Sequence, residues 1–285
     1  MLAAAMFVGS IAVGELLLLG SRGVLGSPSL ERVNYAGRKV PTAAGLLFVP
    51  ACLVAFAAAR LFENGRALPV FGFRESLLVL VIGMCFFGLL DDLVGDRDAR
   101  GFRGHFSALF RGRVTTGMLK AAGGFLVALV ASFPFSPSIL DLLLNAALIS
   151  LCANLFNLLD MRPGRAIKVF IPSMVAVVAV SRDLGDAFVP YALSVGAVAL
   201  VLFPGDLKGK YMLGDAGSNV LGATVGMGLA VGLGAWWRLG LLILVVALNV
   251  LSEKISFSRL IAKSRALSWL DALGRKGESG PGANH

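Results

Sequence analysis

A chain of 285 residues that is 57% hydrophobic and 15% charged falls well short of the charge of a soluble domain, which is about 25%. Its mean hydropathy of +0.82 and its repeated apolar runs place it in a membrane, and the net charge of +9 then reads as Lys and Arg kept in cytoplasmic loops, not as a nucleic-acid-binding surface. Cys52, Cys85 and Cys152 fall inside apolar runs and read as small hydrophobes, with no disulfide implied.

In chain order the apolar runs predict an all-α polytopic bundle of nine transmembrane helices, at 2–20, 43–62, 75–92, 115–133, 138–158, 166–181, 187–203, 213–232 and 236–256. The first run has no basic residue before it and Arg22 after it. That is the wrong polarity for a cleaved signal peptide, so a retained helix with its N-terminus outside is expected. Alternating from there puts 21 of the 26 Lys and Arg on the cytoplasmic side and leaves five outside: Arg60, Arg66, Arg74, Arg182 and Arg238. The organisation predicted is one membrane domain over 1–256 and a cytoplasmic amphipathic and polar tail over 257–285. Within the tail, Ile255 to Leu273 is amphipathic and is expected to lie on the cytoplasmic membrane surface.

With this topology Asp91, Asp92, Asp160 and Asp215 all end apolar runs at the cytoplasmic face. The first loop runs Asn34-Tyr35-Ala36-Gly37-Arg38-Lys39-Val40-Pro41-Thr42, with Thr42 a candidate helix cap. Gly88-Leu89-Leu90-Asp91-Asp92 closes the third run; adjacent carboxylates beside hydrocarbon suit cation binding and base chemistry, against the plainer alternative of a solvated helix end. A basic loop follows, with Arg97, Arg100, Arg103, His105, Arg111 and Arg113, then Lys120. Positive-inside bias explains most of that loop, whereas a Lys inside a helix start needs a partner.

Asn154, Asn157 and, less closely, Asp160 share a helix face at the end of the fifth run. They are hard oxygen donors suited to Mg²⁺, or else interhelical hydrogen-bonding groups. Gly214-Asp215-Ala216-Gly217-Ser218-Asn219 opens the eighth run after Lys208 and Lys210, and its small residues permit close approach of an anion or a metal–phosphate pair. The alternatives there are an Asp cap and small-residue helix packing. Glu15 and Asp141 read as packing or snorkelling residues.

Taken in this order, the motifs resemble the polyprenyl-phosphate N-acetylhexosamine-1-phosphate transferases, the family that includes phospho-MurNAc-pentapeptide translocase. The resemblance runs from about Asn34 to Asn249. It implies an enzyme that transfers a sugar-1-phosphate from a nucleotide sugar, normally UDP-linked, to a polyprenyl phosphate such as undecaprenyl phosphate, for cell-envelope glycan synthesis. It implies Mg²⁺, with Mn²⁺ as a substitute, held by Asn157 and Asp215. Asp91, Asp92 and Lys120 would be catalytic. Lys39, Thr42, Asn154, Asp160, Arg162, Arg165 and Lys210 would bind substrate. It also implies a multi-pass plasma-membrane protein with a cytoplasmic active site, and a homodimer. Two features depart from the family: Asp160 is followed by Met161-Arg162-Pro163-Gly164-Arg165 where relatives carry a second acidic or amide group, and the family's late His-rich loop is missing, as is a final helix after it. These departures open a second expectation, an altered family member that binds polyprenyl lipid or a partner protein without turnover. A transporter ranks last, because transporters place ionisable groups near mid-membrane.

Overall fold

The computed structural model describes residues 2–62, 71–94, 115–180 and 185–275. The expected loop cations Arg66, Arg97, Arg100, Arg103, His105, Arg111, Arg113 and Arg182 lie outside the described residues, as does the end of the tail.

The described chain is helical apart from one short hairpin. Helix α1 (Leu2–Gly20) and a single turn, α2 (Arg22–Leu25), lead to strands β1 (Glu31–Val33) and β2 (Lys39–Pro41), which pair antiparallel with Arg32 opposite Val40. Helices α3 (Phe48–Phe62), α4 (Phe73–Val94), α5 (Thr116–Ser132), α6 (Ile139–Leu159), α7 (Arg165–Val180), α8 (Gly185–Leu207), α9 (Gly214–Gly232) and α10 (Ala235–Lys254) follow. Two short helices, α11 (Phe257–Lys263) and α12 (Arg265–Ala272), end the described chain. Local chemistry starts several of them. The Thr115 hydroxyl accepts the Met118 N–H at 3.2 Å at the head of α5, and the Ser138 hydroxyl accepts the Asp141 N–H at 3.1 Å at the head of α6.

Nine helices thus occupy the places of the nine predicted runs among the described residues, but they are not alike. Six of them are long and apolar enough to cross a membrane: α1, α4, α5, α6, α8 and α10. The other three are α3, α7 and α9. The chain before α3 differs from the expectation: residues 44–47 form a 3₁₀ turn after Ala43, whose φ is +58°, and no side chain caps it. Thr42 is therefore not a cap; it is buried against Gly214.

Helix α9 is the centre of the bundle. It packs on α6 and α4 and also touches α7 and α8, and every residue from Ala216 to Gly228 is buried. Its glycines make this possible, since a Cβ on Gly222 would lie 2.3 Å from the Cys152 carbonyl oxygen of α6. A helix surrounded by protein can use small residues for close backbone approach. That choice lowers its hydropathy, which is why α9 is less apolar than the helices around it.

Candidate active site

The ends of four helices meet at one end of the bundle: the last turns of α4 and α6 and the first turns of α5 and α9 bring together Asp91, Asp92, Lys120, Asn157 and Asp215. Close helix packing sets the distances. Gly88, one turn before Asp92, lets α4 touch the start of α9, for a Cβ there would lie 2.4 Å from the Asp215 carbonyl oxygen.

The two adjacent carboxylates have different roles. Asp92 accepts the Asp215 N–H at 3.1 Å on one oxygen and the Ala216 N–H at 3.0 Å on the other, so it satisfies orphan donors at the head of α9. Gly214, at φ +72°, makes the turn that aims those N–H groups. Asp91 instead pairs with the Lys120 ammonium at 3.3 Å, and the same ammonium also donates to Asp215. The Asn157 amide donates to the same Asp215 oxygen at 3.1 Å. Lys120 therefore has the partners its place in a helix demanded: two carboxylates that would otherwise repel across the site.

This donor set suits a hard divalent cation. Asp91 and Asp215 converge on a single cationic point, now held by the Lys120 ammonium, with the Asn157 amide beside it. Carboxylate and amide oxygens are the ligands Mg²⁺ and Mn²⁺ prefer. Among the described residues no group of three or more His, Cys, Asp and Glu is arranged to hold a metal, so an ion held by Asp215 and Asn157 would complete its shell with water or substrate oxygens.

A cavity of about 530 Å³ adjoins the cluster, between α4, α5 and α6. Its wall is mostly apolar, with Met84, Phe87, Leu151 and Leu158, while Asp91, Lys120 and Glu253 supply charge.

The remaining expected site residues divide. Asp160 lies beyond the last turn of α6, and burial, then the nearby Asp206, Asp215 and Asp92 carboxylates, hold its carboxyl well above the usual carboxylate range. Arg162 stacks over the Tyr35 ring at 4.7 Å, closing a small cleft of about 40 Å³ that Asp160 and Asn34 also line. Asn154 lines the 530 Å³ cavity, and its amide donates to Asn249 of α10 at 2.6 Å, tying two helices. Arg165 is 4% exposed, its guanidinium donates twice to Asp271 at 2.7 and 2.8 Å, and its third contact is Ser258 at 2.9 Å. Those bonds tie it to the tail. Lys39 and Lys210 are exposed, and no hydrogen bond joins them to the acidic cluster among the described residues.

Two positioning residues were not singled out by the sequence. Asp206, buried at the end of α8, accepts the Gly164 N–H at 2.8 Å and the Leu213 N–H at 3.3 Å, tying the loop after Asp160 to the turn before Asp215. Its signal was legible, since it too ends an apolar run. Arg32 donates to the Asp92 and Leu93 carbonyls at 2.8 and 3.0 Å, capping the last turn of α4. A single arginine in a polar loop carries no pattern that foretells this contact. No family model matches the chain, and comparison with curated proteins yields no match.

Proposed function

We propose that this protein is a membrane transferase that moves a sugar-1-phosphate from a nucleotide sugar to a polyprenyl phosphate. The observation that carries this reading is the convergence of Asp91, Lys120, Asn157 and Asp215 beside an apolar cavity large enough for part of a lipid chain. A phosphate bound there meets a cation, and the hydrocarbon behind it meets an apolar wall. In the proposed reaction an oxygen of the lipid phosphate bonds to the β-phosphorus of the donor. The bond from that phosphorus to the bridging oxygen breaks, and a nucleoside monophosphate leaves. Lys120 binds the lipid phosphate, Asp91 orients it, and Asp92 positions the turn that carries Asp215. Asp215 and Asn157 would hold Mg²⁺, which supplies charge neutralisation for the diphosphate. In this reading the nine helices all cross the membrane, and the site faces the cytoplasm of a plasma membrane; the 21-to-5 split of basic residues supports that orientation.

A second reading, a lipid-binding relative without turnover, draws on one observation: the Lys120 ammonium already neutralises both Asp91 and Asp215. The test is to incubate the purified protein with undecaprenyl phosphate, Mg²⁺ and a panel of nucleotide sugars, and to measure nucleoside monophosphate release. Release that is lost in Asp215→Asn and Asp91→Asn, with normal expression of both variants, is expected. No release with any donor overturns the transferase reading in favour of the second, and full activity in either variant overturns the site.

A further inference from the structure

Asn219 lies one turn beyond Asp215 on α9, at the four-residue spacing that puts two side chains on one helix face. It is 4% exposed, and its amide has no hydrogen-bond partner among the described residues. Buried side-chain amides are nearly always paired, so an unpartnered one beside a cavity marks a place where a ligand can bond.

Asn219 belongs to the wall of the 530 Å³ cavity. Of the other polar side chains of the wall, Asp91 and Lys120 are engaged with one another, Asn154 with Asn249, and Ser150 with the Ala147 carbonyl, while Glu253 adds a further carboxylate. Asn219 is thus a donor–acceptor group without a protein partner in a mostly apolar chamber. Its place on the helix is about 6 Å further along the axis than Asp215. A molecule that meets the Lys120 ammonium with an anionic head and fills the cavity with hydrocarbon passes Asn219 where head and chain join.

We propose that Asn219 is a further binding residue of the acceptor site, its amide donating to the phosphate-ester oxygen of a phosphate-bearing amphiphile whose chain lies in the cavity. The inference rests on the lipid-phosphate reading given above and adds to it the residue that reads the junction of head and chain. A polyprenyl phosphate and a phosphatidic acid share this chemistry. A polyprenol, lacking the anion, does not.

The experiment is direct binding to the full-length protein in nanodiscs, without donor or turnover. The probes are undecaprenyl phosphate, phosphatidic acid and undecaprenol, and the variants are Asn219→Leu and Lys120→Met. Asn219→Leu keeps the side-chain volume and removes the hydrogen bond. It is expected to weaken undecaprenyl phosphate binding roughly tenfold, the effect of one hydrogen bond to a charged group. Nucleotide-sugar binding is expected to stay unchanged. Because no hydrogen bond within the protein is lost, the ligand-free Asn219→Leu protein is expected to melt at the wild-type temperature, whereas loss of a structural asparagine would lower it. Wild-type affinity in Asn219→Leu alongside loss in Lys120→Met overturns the Asn219 inference and leaves the lipid-phosphate site standing. Absence of binding by wild type to either phosphate lipid overturns both. Preference for phosphatidic acid, still weakened by Asn219→Leu, supports the residue's role and overturns the polyprenyl acceptor.

Discussion

Gly214 holds φ at +72°, and a Cβ built on it would lie 2.7 Å from an Asp92 carboxylate oxygen and 2.8 Å from the Ala43 nitrogen. Gly214→Ala therefore combines left-handed backbone strain with collision against the group that orders the head of α9. The expected cost is about 1–3 kcal/mol, read as a lowered melting temperature in detergent, with transfer activity lost; an unchanged melting temperature would contradict the turn's role. Asp92→Asn is a milder probe of the same contact. It keeps one acceptor for the paired N–H groups of Asp215 and Ala216 and turns the other into a donor that faces them. These roles were only half legible. Asp91, Asp92, Asn157 and Asp215 stand out in sequence because polar groups at the ends of apolar runs are costly without a purpose. Which of two adjacent carboxylates orders a backbone and which meets an ammonium depends on the helix facing them. Asp92 meets the head of α9, 123 residues away, and Asp91 meets Lys120 on α5. The tail contact of Arg165 was hidden for the same reason: its partner Asp271 lies 106 residues further on.

The tail shows what helix-scale patterning does and does not reveal. Its amphipathic character is visible in sequence, and α12 does expose Leu267, Trp269 and Leu270, with Leu273 just after it. What periodicity could not reveal is that the other side of α12 is fastened to α7. Arg165 grips Asp271, Lys168 donates to the Asp271 carbonyl at 2.7 Å, and Arg275 reaches the same carboxylate at 2.8 Å. The Arg165 and Arg275 guanidinium groups outweigh burial and hold the Asp271 carboxyl down at about 2. A carboxyl depressed in the folded state contributes its stability above its unfolded pKa near 4, and loses it as pH falls toward 2. Docking of the tail should therefore be intact at neutral pH and released between about pH 4 and 2. In a Trp236→Phe/Trp237→Phe background, Trp269 is the sole tryptophan and reports release by fluorescence. Asp271→Asn should release the tail at neutral pH, and the exchange Arg165→Asp/Asp271→Arg should restore part of the docking. A pH-independent Trp269 signal in the parent protein would remove the clamp from the account. Because Arg165 directly follows Gly164, whose N–H is held by Asp206, a released tail should also loosen the loop after Asp160.

The parity of the membrane crossings follows from contacts between distant parts of the described chain. Tyr35 of the first hairpin stacks under Arg162, and Arg165, three residues later, binds Asp271 of the tail. The hairpin and the tail therefore sit at the same end of the bundle, and the chain between them must cross an even number of times. Counting only the six helices that are long and apolar enough by themselves leaves five between the hairpin and the tail: α4, α5, α6, α8 and α10. Five is odd and would put hairpin and tail on opposite sides. An odd number of α3, α7 and α9 must be added; with all three, as proposed, the count is eight and the chain returns to the side it left. Each of the three falls short of a crossing helix by itself for a physical reason: α3 is preceded by a 3₁₀ turn, α7 is only 16 residues long, and α9 is enclosed by protein and built from small residues. The proposed nine crossings can be tested with single cysteines at Ala36 and Lys263, both exposed, in a background whose native Cys52, Cys85 and Cys152 are buried. A membrane-impermeant maleimide applied to intact cells should label neither site and should label both after permeabilisation. Gly234→Cys, in the open turn between α9 and α10, should label from outside. Labelling of Ala36 and Lys263 from opposite sides would reduce the crossings to an odd number between them and separate the hairpin from the tail, which the Tyr35–Arg162 and Arg165–Asp271 contacts forbid.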